Sequence, residues 1–550
     1  MHILEYRSPV AWLKHWAQVQ GSSVFLRQPV NRVVTEYTWS DTWDKTRRLA
    51  AALNGMGLKP GDRVGIIAKN SAEWILSDLA IQAAGLVSTP VYPTASRDTI
   101  SYVLEHSEAK AVFIGQLDDP ATVQAALPEG LPKIGFSNAS FACDYSITKL
   151  ISENQPIATA NMGKADDLFT IVYTSGSTGV PKGVELTYGN FHYSSAAHAA
   201  HLEFSPADRL VSYLPLAHMF ERSCIEHSAV YSGASIWFIE SLETFADDLK
   251  QAQPTYFHSI PRLWMKFQAG VLAKMPAQKL ARLLKIPILG NVVRKKVKTQ
   301  LGLQHARACT SGSAPISPDI LHWFADLGIP ISEGWGMTET GGASTANYPF
   351  RRDKIGTIGR AFPGSEVKIS DDGEILIKGA AIFSGYHKNP EATAKDMGEN
   401  GWFHTGDRAE MDRDGYLKIT GRVKELFKTG KGKYVAPVPI ESHLSVDEHI
   451  DLVCVMGSGL PQPVAVAVLA AETTSGKTED DIRSSLTKTL TTANGQIEKH
   501  EQLDRIIVVK DQWTIENNFL TPTMKIKRDQ IEKQYQSILE QPVKDKVVFA

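Results

Sequence analysis

An α/β fold is expected, with a large N-terminal domain of layered α/β subdomains plus a β-rich subdomain, and a small α+β C-terminal domain. Three observations predict it. Apolar strand-like runs alternate with helical stretches between residues 40 and 93, and the alternation returns at 208–240 and 305–335, as in parallel strands layered with helices. From 365 onward, alternating runs meet at Asp-Gly turns, which is hairpin grammar. After Gly421 the chain is first basic and glycine-rich, then apolar in strands, then polar and helical.

Taken in order, residues 40–58 (SDTWDKTRRLAAALNGMGL) read as a capped amphipathic helix. Ser40 or Asp41 suits the N-cap, apolar positions recur at three and four, and Gly57 suits the stop. KPGDRVGIIAKN is a turn feeding a short strand, Ser71 to Gly85 a second helix, and LVSTPVYP a second strand. EVKISDDGEILIKG places an Asp-Gly turn between two alternating runs, and DRDGYLKITG repeats it at 412–421. DLVCVMG and PVAVAVLAA are strands ahead of a polar helical region. The boundary is set at Gly421, giving domains 1–421 and 422–550.

The charge sum over 550 residues is 58 − 60 = −2, which argues against a nucleic-acid partner for the chain as a whole. Cys143, Cys224, Cys309 and Cys454 form no CxxC pair and no zinc spacing, so a reducing compartment is expected rather than a disulfide scaffold. The stretch MHILEYRSPVAWLKHW carries charge throughout and lacks the apolar core of a secretory leader. The longest apolar run, Val464 to Ala471, is eight residues, far short of the ~20 a membrane helix needs. A cytoplasmic protein is expected, at most peripheral to a membrane.

The strongest chemical signal is FTIVYTSGSTGVPKGVELTYGNF. An apolar strand, Phe169 to Tyr173, runs into Thr174, Ser175, Gly176, Ser177, Thr178 and Gly179, then Pro181-Lys182-Gly183. Small hydroxyls and glycines let backbone N–H groups converge on an anion, and a lysine adds charge. The loop is not a Walker A motif, because Lys182 lies between proline and glycine rather than between glycine and Ser/Thr. A P-loop kinase or ATPase is therefore disfavoured.

YTSGSTGVPKGV resembles the phosphate loop of the adenylate-forming (AMP-binding) superfamily of acyl-CoA synthetases, luciferases and peptide-synthetase adenylation domains. Five further segments resemble that family's motifs in its order: LPLAHMFER (214–222), TSGSAPIS (310–317), SEGWGMTETGG (332–342), GWFHTGDRAEMDRDGYLKITGRVKEL (401–426) and LTPTMKIKRDQI (520–531). SIPRLWMKF and FKTGKGKYVAPVPIE are similar to the long-chain fatty acyl-CoA synthetase branch.

The resemblance implies ATP-dependent activation of a fatty acid and transfer to coenzyme A, releasing AMP and pyrophosphate. A carboxylate resists attack because its oxide leaves poorly, whereas an acyl-adenylate releases AMP readily. Such chemistry calls for positioning, a metal and cations rather than a covalent nucleophile. By resemblance, residues 174–182 would grip the β- and γ-phosphates, with Thr174 and Glu339 at Mg²⁺. Thr338 would meet the adenylate phosphate. Gly312, Ser313 and Ala314 would border adenine, with Gly334, Trp335 and Gly336 in the facing motif; Trp335 lies against the base or in the core. Asp407, aimed from a tight Thr-Gly turn, would accept the ribose hydroxyls, and Arg422 would reach the ribose or phosphates. Lys424 and Lys428 sit on the hinge side. Lys525 would be the adenylation lysine, although Met524 stands where many relatives carry glycine. His218 and Phe220 would border the acyl tunnel, His218 as a gate or as a core histidine. His192, His198 and His201 lack a carboxylate cluster, so zinc is not expected.

Glycine at 421, where many relatives carry Asp, suits a swivel that makes the small domain mobile. Alternatives remain: transfer of the acyl group to an acyl carrier protein, a luciferase-like oxidation, or a nucleotide-binding scaffold. A dead scaffold would show damage at Lys525, Glu339 or Asp407, and all three are intact. Between Arg262 and Leu301 there are ten Lys/Arg and no Asp/Glu, open to three readings: a groove for CoA phosphates, an interfacial surface for anionic lipid, or a solvated face.

Overall fold

The computed structural model describes residues 5–174, 180–521, 524–539, 541 and 545–550. Its centre is an eight-stranded sheet. In spatial order it runs Gly385–Tyr386, Lys182–Thr187, Leu168–Thr174, Val87–Val91, Arg63–Ile67, Ala111–Ile114, Lys133–Gly135 and Tyr145–Ser146. The strands from Leu168–Thr174 to Tyr145–Ser146 are parallel, and two antiparallel strands close the other edge. Val87–Val91 is buried at every position and is covered by the helix Ala72–Ala83, whose side chains are nearly all buried, as expected of parallel strands.

The helix at 40–58 begins earlier than expected. It spans Trp39–Gly55, and Thr38 is the N-cap, exchanging bonds with Asp41 in a capping box. Gly57 follows its end at φ +84°, as the stop signal required. Ser71 caps the next helix through the Trp74 N–H.

A second sheet stacks Tyr256–Ser259, Ala308–Ser311 and Ile331–Trp335 in parallel, then two short antiparallel strands. A third joins Arg209–Ser212, Ser235–Phe238, Val24–Val30 and Val33–Thr38. Both Asp-Gly hairpins form within one antiparallel sheet, Ser365–Ile369, Glu374–Gly379, Phe403–Met411 and Leu417–Arg422. Gly421 pairs with Arg408 and Arg422 with Asp407; the chain then leaves the sheet through a 3-10 turn at Val423–Glu425.

Residues beyond that turn form a four-stranded sheet, Ile450–Met456, Val464–Leu469, Ile506–Val509 and Val547–Phe549. Apolar clusters cover its two faces, and both draw only on residues 427–549.

Deep in the larger unit, Arg222 and Asp78 form a fully buried ion pair at 2.6 Å. The guanidinium also donates to Ser88 and Thr170, each at 2.7 Å, so it ties the helix Ala72–Ala83 to two central strands. Burial is the largest influence and opposes ionisation of Asp78, but Arg222 and His227 together outweigh it and hold the carboxyl at about 2. Arg222 opens a six-residue π-helix, Arg222–His227, which brings Glu226 and His227 to the same place. Asp78, Glu226 and His227 have metal-type proximity, yet Asp78 is already paired with Arg222, and that pair is a structural tie.

Candidate active site

The phosphate-loop candidate sits on the hairpin of Leu168–Thr174 and Lys182–Thr187, which places Thr174 directly opposite Lys182. Ser175, Gly176, Ser177, Thr178 and Gly179 lie outside the described residues. The Lys182 ammonium is 3.1 Å from Asp396 and 4.2 Å from the centre of the Tyr386 ring. The Tyr386 hydroxyl stands 3.1 Å from both Glu339 Oε1 and Asp396 Oδ2. A single hydroxyl proton thus faces two carboxylates. Glu339 is 8% exposed, and burial raises its pKa against its own backbone, Tyr386 and Lys182.

Tyr386 and Asp396 were not foreseen from the sequence. A signal for them exists in Tyr386-His387-Lys388-Asn389-Pro390: Asn389 caps the helix Pro390–Asp396 through Ala392 N–H, with proline at its first position. That cap fixes Asp396 at the helix end.

Thr338 and Glu339 lie in a 3-10 turn closed by Gly341 at φ +74°. The backbone folds tightly here. A Cβ added to Gly336 would come within 1.7 Å of the Gly342 carbonyl oxygen, so only glycine fits. Gly334 lies in the strand Ile331–Trp335. Ser313 takes φ +68°, and it and Ala314 are exposed beside buried Gly312.

Asp407 does not project from a tight turn. It stands within the strand Phe403–Met411, where the pairing with Glu374–Gly379 is irregular and Gly406 adopts φ +72°. This is a bulge, and it re-aims a buried carboxylate without ending the strand. Asp407 N–H donates to Thr405 Oγ1 at 3.1 Å. Arg422, its cross-strand neighbour, donates Nε–H to Oδ1 at 2.7 Å, and the Trp335 indole N–H donates to Oδ2 at 2.8 Å. The half-buried indole is therefore oriented by the same acid.

Lys525 follows a turn in which Met524 N–H donates to the Thr521 carbonyl at 2.8 Å. Its pKa is lowered, first by burial and then by the like charge of Arg422, while Asp407, Glu339 and Glu425 act in the opposite sense. Lys525 nevertheless keeps solvent-accessible surface. The lysine, the ribose-side pair and the Glu339 turn thus share one electrostatic field. The two hinge lysines are placed differently: Lys424 is exposed, and the Lys428 ammonium lies 4.8 Å over the Tyr434 ring.

His218 accepts the Phe220 N–H at Nδ1, 3.1 Å away, which leaves the ring proton on Nε2 in the neutral form. Burial, reinforced by Lys525, pulls its pKa down to about 4. Phe220 packs on His258 with ring centres 3.7 Å apart. His258, unforeseen, bonds Thr310 at 2.8 Å through Nδ1, while its buried Nε2 has no partner among the described residues. His198 bonds Ser228 at 3.0 Å.

Comparison with known proteins supplies the wider context. The profile of the AMP-binding enzyme family matches residues 13–387, and that of the AMP-binding enzyme C-terminal domain matches 426–546. Long-chain-fatty-acid–CoA ligase FadD15 of Mycobacterium bovis is 30% identical over 94% of both chains. Fatty acyl-CoA synthetase A of Dictyostelium discoideum is 31% identical over 90% of this chain and 84% of its own. Among solved structures, the adenylation domain of a carboxylic acid reductase from Segniliparus rugosus, in complex with AMP and a co-purified carboxylic acid, aligns with a TM-score of 0.81 at 20% identity. That match covers 98% of this chain and 94% of the other. Anthranilate CoA ligase AuaEII, in complex with anthranoyl-AMP, aligns at 0.79 and 21%, covering 98% of each.

Proposed function

The chain belongs to the AMP-binding enzyme family, and on that premise we propose that it is an ATP-dependent long-chain fatty acid–CoA ligase. The observation that carries the reading is that Lys525 lies close enough to Asp407, Arg422 and Glu339 for their charges to act on it. Relatives matched over 94% and 82% of their own length are named as a long-chain-fatty-acid–CoA ligase and a long chain acyl-CoA synthetase.

In the first half-reaction the fatty carboxylate attacks the α-phosphorus of ATP, forming the acyl-adenylate and expelling pyrophosphate. Asp407 holds the ribose hydroxyls on its remaining lone pairs, because Trp335 and Arg422 already fix its orientation. Lys182 is paired with Asp396, and arriving phosphates compete for that ammonium. The Lys525 ammonium faces the crowded oxygens of attacking carboxylate and α-phosphate, where charge is greatest. The donor chemistry suits Mg²⁺: Glu339 is a buried carboxylate whose anion lacks a full counter-charge, and Thr174 offers a hard hydroxyl oxygen at the base of the loop. When bound there, Mg²⁺ would supply neutralisation of the departing phosphates. In the second half-reaction the thiol of coenzyme A attacks the acyl carbonyl, loses its proton, and AMP leaves. The small domain, 422–550, would turn about Gly421 between the two steps. We further hold that the enzyme is cytoplasmic and works at a lipid surface.

The test is product analysis with ATP, Mg²⁺, coenzyme A and saturated acids from hexanoate to stearate. AMP and acyl-CoA are expected in equal amounts, and Lys525→Ala should slow adenylation roughly a hundred- to a thousandfold. Thioester formation from preformed acyl-adenylate should survive in that variant. AMP without thioester would transfer the reading to an acyl carrier protein, and no turnover with any acid would overturn it.

A further inference from the structure

The ten cations between Arg262 and Leu301 are not equivalent. Arg262 pairs with Asp451 at 2.7 Å. Arg294 donates to the carbonyls of Asp326 and Leu284, which fixes the elbow between the helices Ala277–Leu284 and Pro287–Gln300. Lys274, Lys279, Arg282, Lys285, Lys295 and Lys296 are exposed and have no ion-pair partner among the described residues. No acid lies in the segment to offset them.

The same elbow shows apolar side chains. Ile288 is 82% exposed, Val292 57%, Ile286 49% and Leu289 41%. These are four of fifteen large apolar residues exposed among the described residues, gathered within seven positions. They are not needed for packing: the inward stripe of Leu280, Val293 and Val297 closes on Leu327 and Trp323. Along Pro287–Gln300, Ile288, Val292, Lys295 and Lys296 follow the i, i+4, i+7, i+8 spacing of one helix face. An apolar tip therefore continues directly into a basic flank.

We propose that the elbow 279–296 is a membrane-docking surface that inserts Ile288, Leu289 and Val292 among the acyl chains of an anionic bilayer while its five free cations, Lys279, Arg282, Lys285, Lys295 and Lys296, contact lipid phosphates. The chemistry is that of an interfacial segment. A groove for CoA phosphates would gather its cations in a concavity with few apolar groups, whereas here they surround a projecting apolar point. A protein partner of matching charge would leave the uninterrupted absence of acids unused for specificity, since interfaces ordinarily mix both signs. The proposal extends the ligase reading by placing the enzyme where its amphiphilic substrate is dissolved, but it stands on its own surface.

Flotation of the full-length protein with phosphatidylcholine vesicles containing about 30 mol% phosphatidylglycerol, without fatty acid or nucleotide, tests it. Binding is expected at low salt, weaker at about 0.5 M salt, and absent on pure phosphatidylcholine. Ile288→Asp/Val292→Asp should abolish binding. Lys295→Glu/Lys296→Glu should lower the partition coefficient about tenfold or more. Ile288→Ser, milder on folding, should reduce it to a lesser degree. Each variant should keep the unfolding midpoint and turnover with a dispersed short-chain acid. Absence of binding by the unaltered protein would overturn the proposal, as would binding that no variant changes, or self-association that the same variants dissolve. Vesicle binding without ligase activity would uphold this surface and remove the catalytic reading; the converse would do the opposite.

Discussion

Met524 adopts φ +61°, a region that costs an L-residue with a side chain roughly 1–2 kcal/mol. It is half exposed, so the side chain gains little packing in return. Met524→Gly should therefore raise stability by about 0.5–1 kcal/mol, part of the gain being lost to the freer unfolded chain, as read from the urea midpoint. Glu221 shows a second local tension. Fully buried, it is pushed up to about 8 by desolvation, against bonds from Ser212 and the 213 and 214 backbone. A carboxyl raised on folding contributes stability present below its unfolded value and lost as pH rises through the folded one. Glu221→Gln, a neutral isostere, should match the parent at about pH 5 and exceed it by as much as a few kcal/mol at about pH 9, in paired denaturation curves. At this scale the sequence was informative wherever a residue sat in a short motif. Lys525, Glu339, Trp335, Asp407 and Arg422 stand in such motifs, and the structure places them near one another. Tyr386, Asp396 and His258 were not, because their significance arises from contacts between segments about 50 to 200 positions apart.

Among elements, the π-helix Arg222–His227 has the largest consequence. Its arginine reaches a helix and two strands through Asp78, Ser88 and Thr170, and one of those strands leads to Thr174. Removing one member of a buried pair strands the other without compensation. Arg222→Ala should destabilise the larger unit by about 3–5 kcal/mol, whereas Arg222→Met combined with Asp78→Leu should recover much of that loss; thermal melts of the three proteins decide it. Helices and hairpins were legible because caps and Asp-Gly turns act over a few residues. The Thr38 cap was missed by two or three positions, since the reciprocal Thr38–Asp41 bonds start the helix before its first apolar repeat. Sheet order was not legible: Gly385–Tyr386 adds to the edge of Lys182–Thr187 across about two hundred residues, and no local period records that.

For the molecule as a whole, the Arg262–Asp451 pair joins the two units on their rim. Both side chains are partly solvated, so the pair is worth at most about 1 kcal/mol. Asp451→Arg should accordingly slow the pyrophosphate burst only about two- to fivefold, and the double reversal Arg262→Asp/Asp451→Arg should restore it; a larger loss would mean that Asp451 acts otherwise. The change in texture after residue 421 was visible in the sequence, whereas the charged groups that act on Lys525 come from distant segments and belong to the tertiary arrangement. Among the described residues, no cluster of buried apolar side chains draws on both units. A junction without an oily seam opens without wetting new hydrocarbon. Its heat-capacity change is then small, and any rotation of one unit against the other responds to ionic strength far more than to temperature.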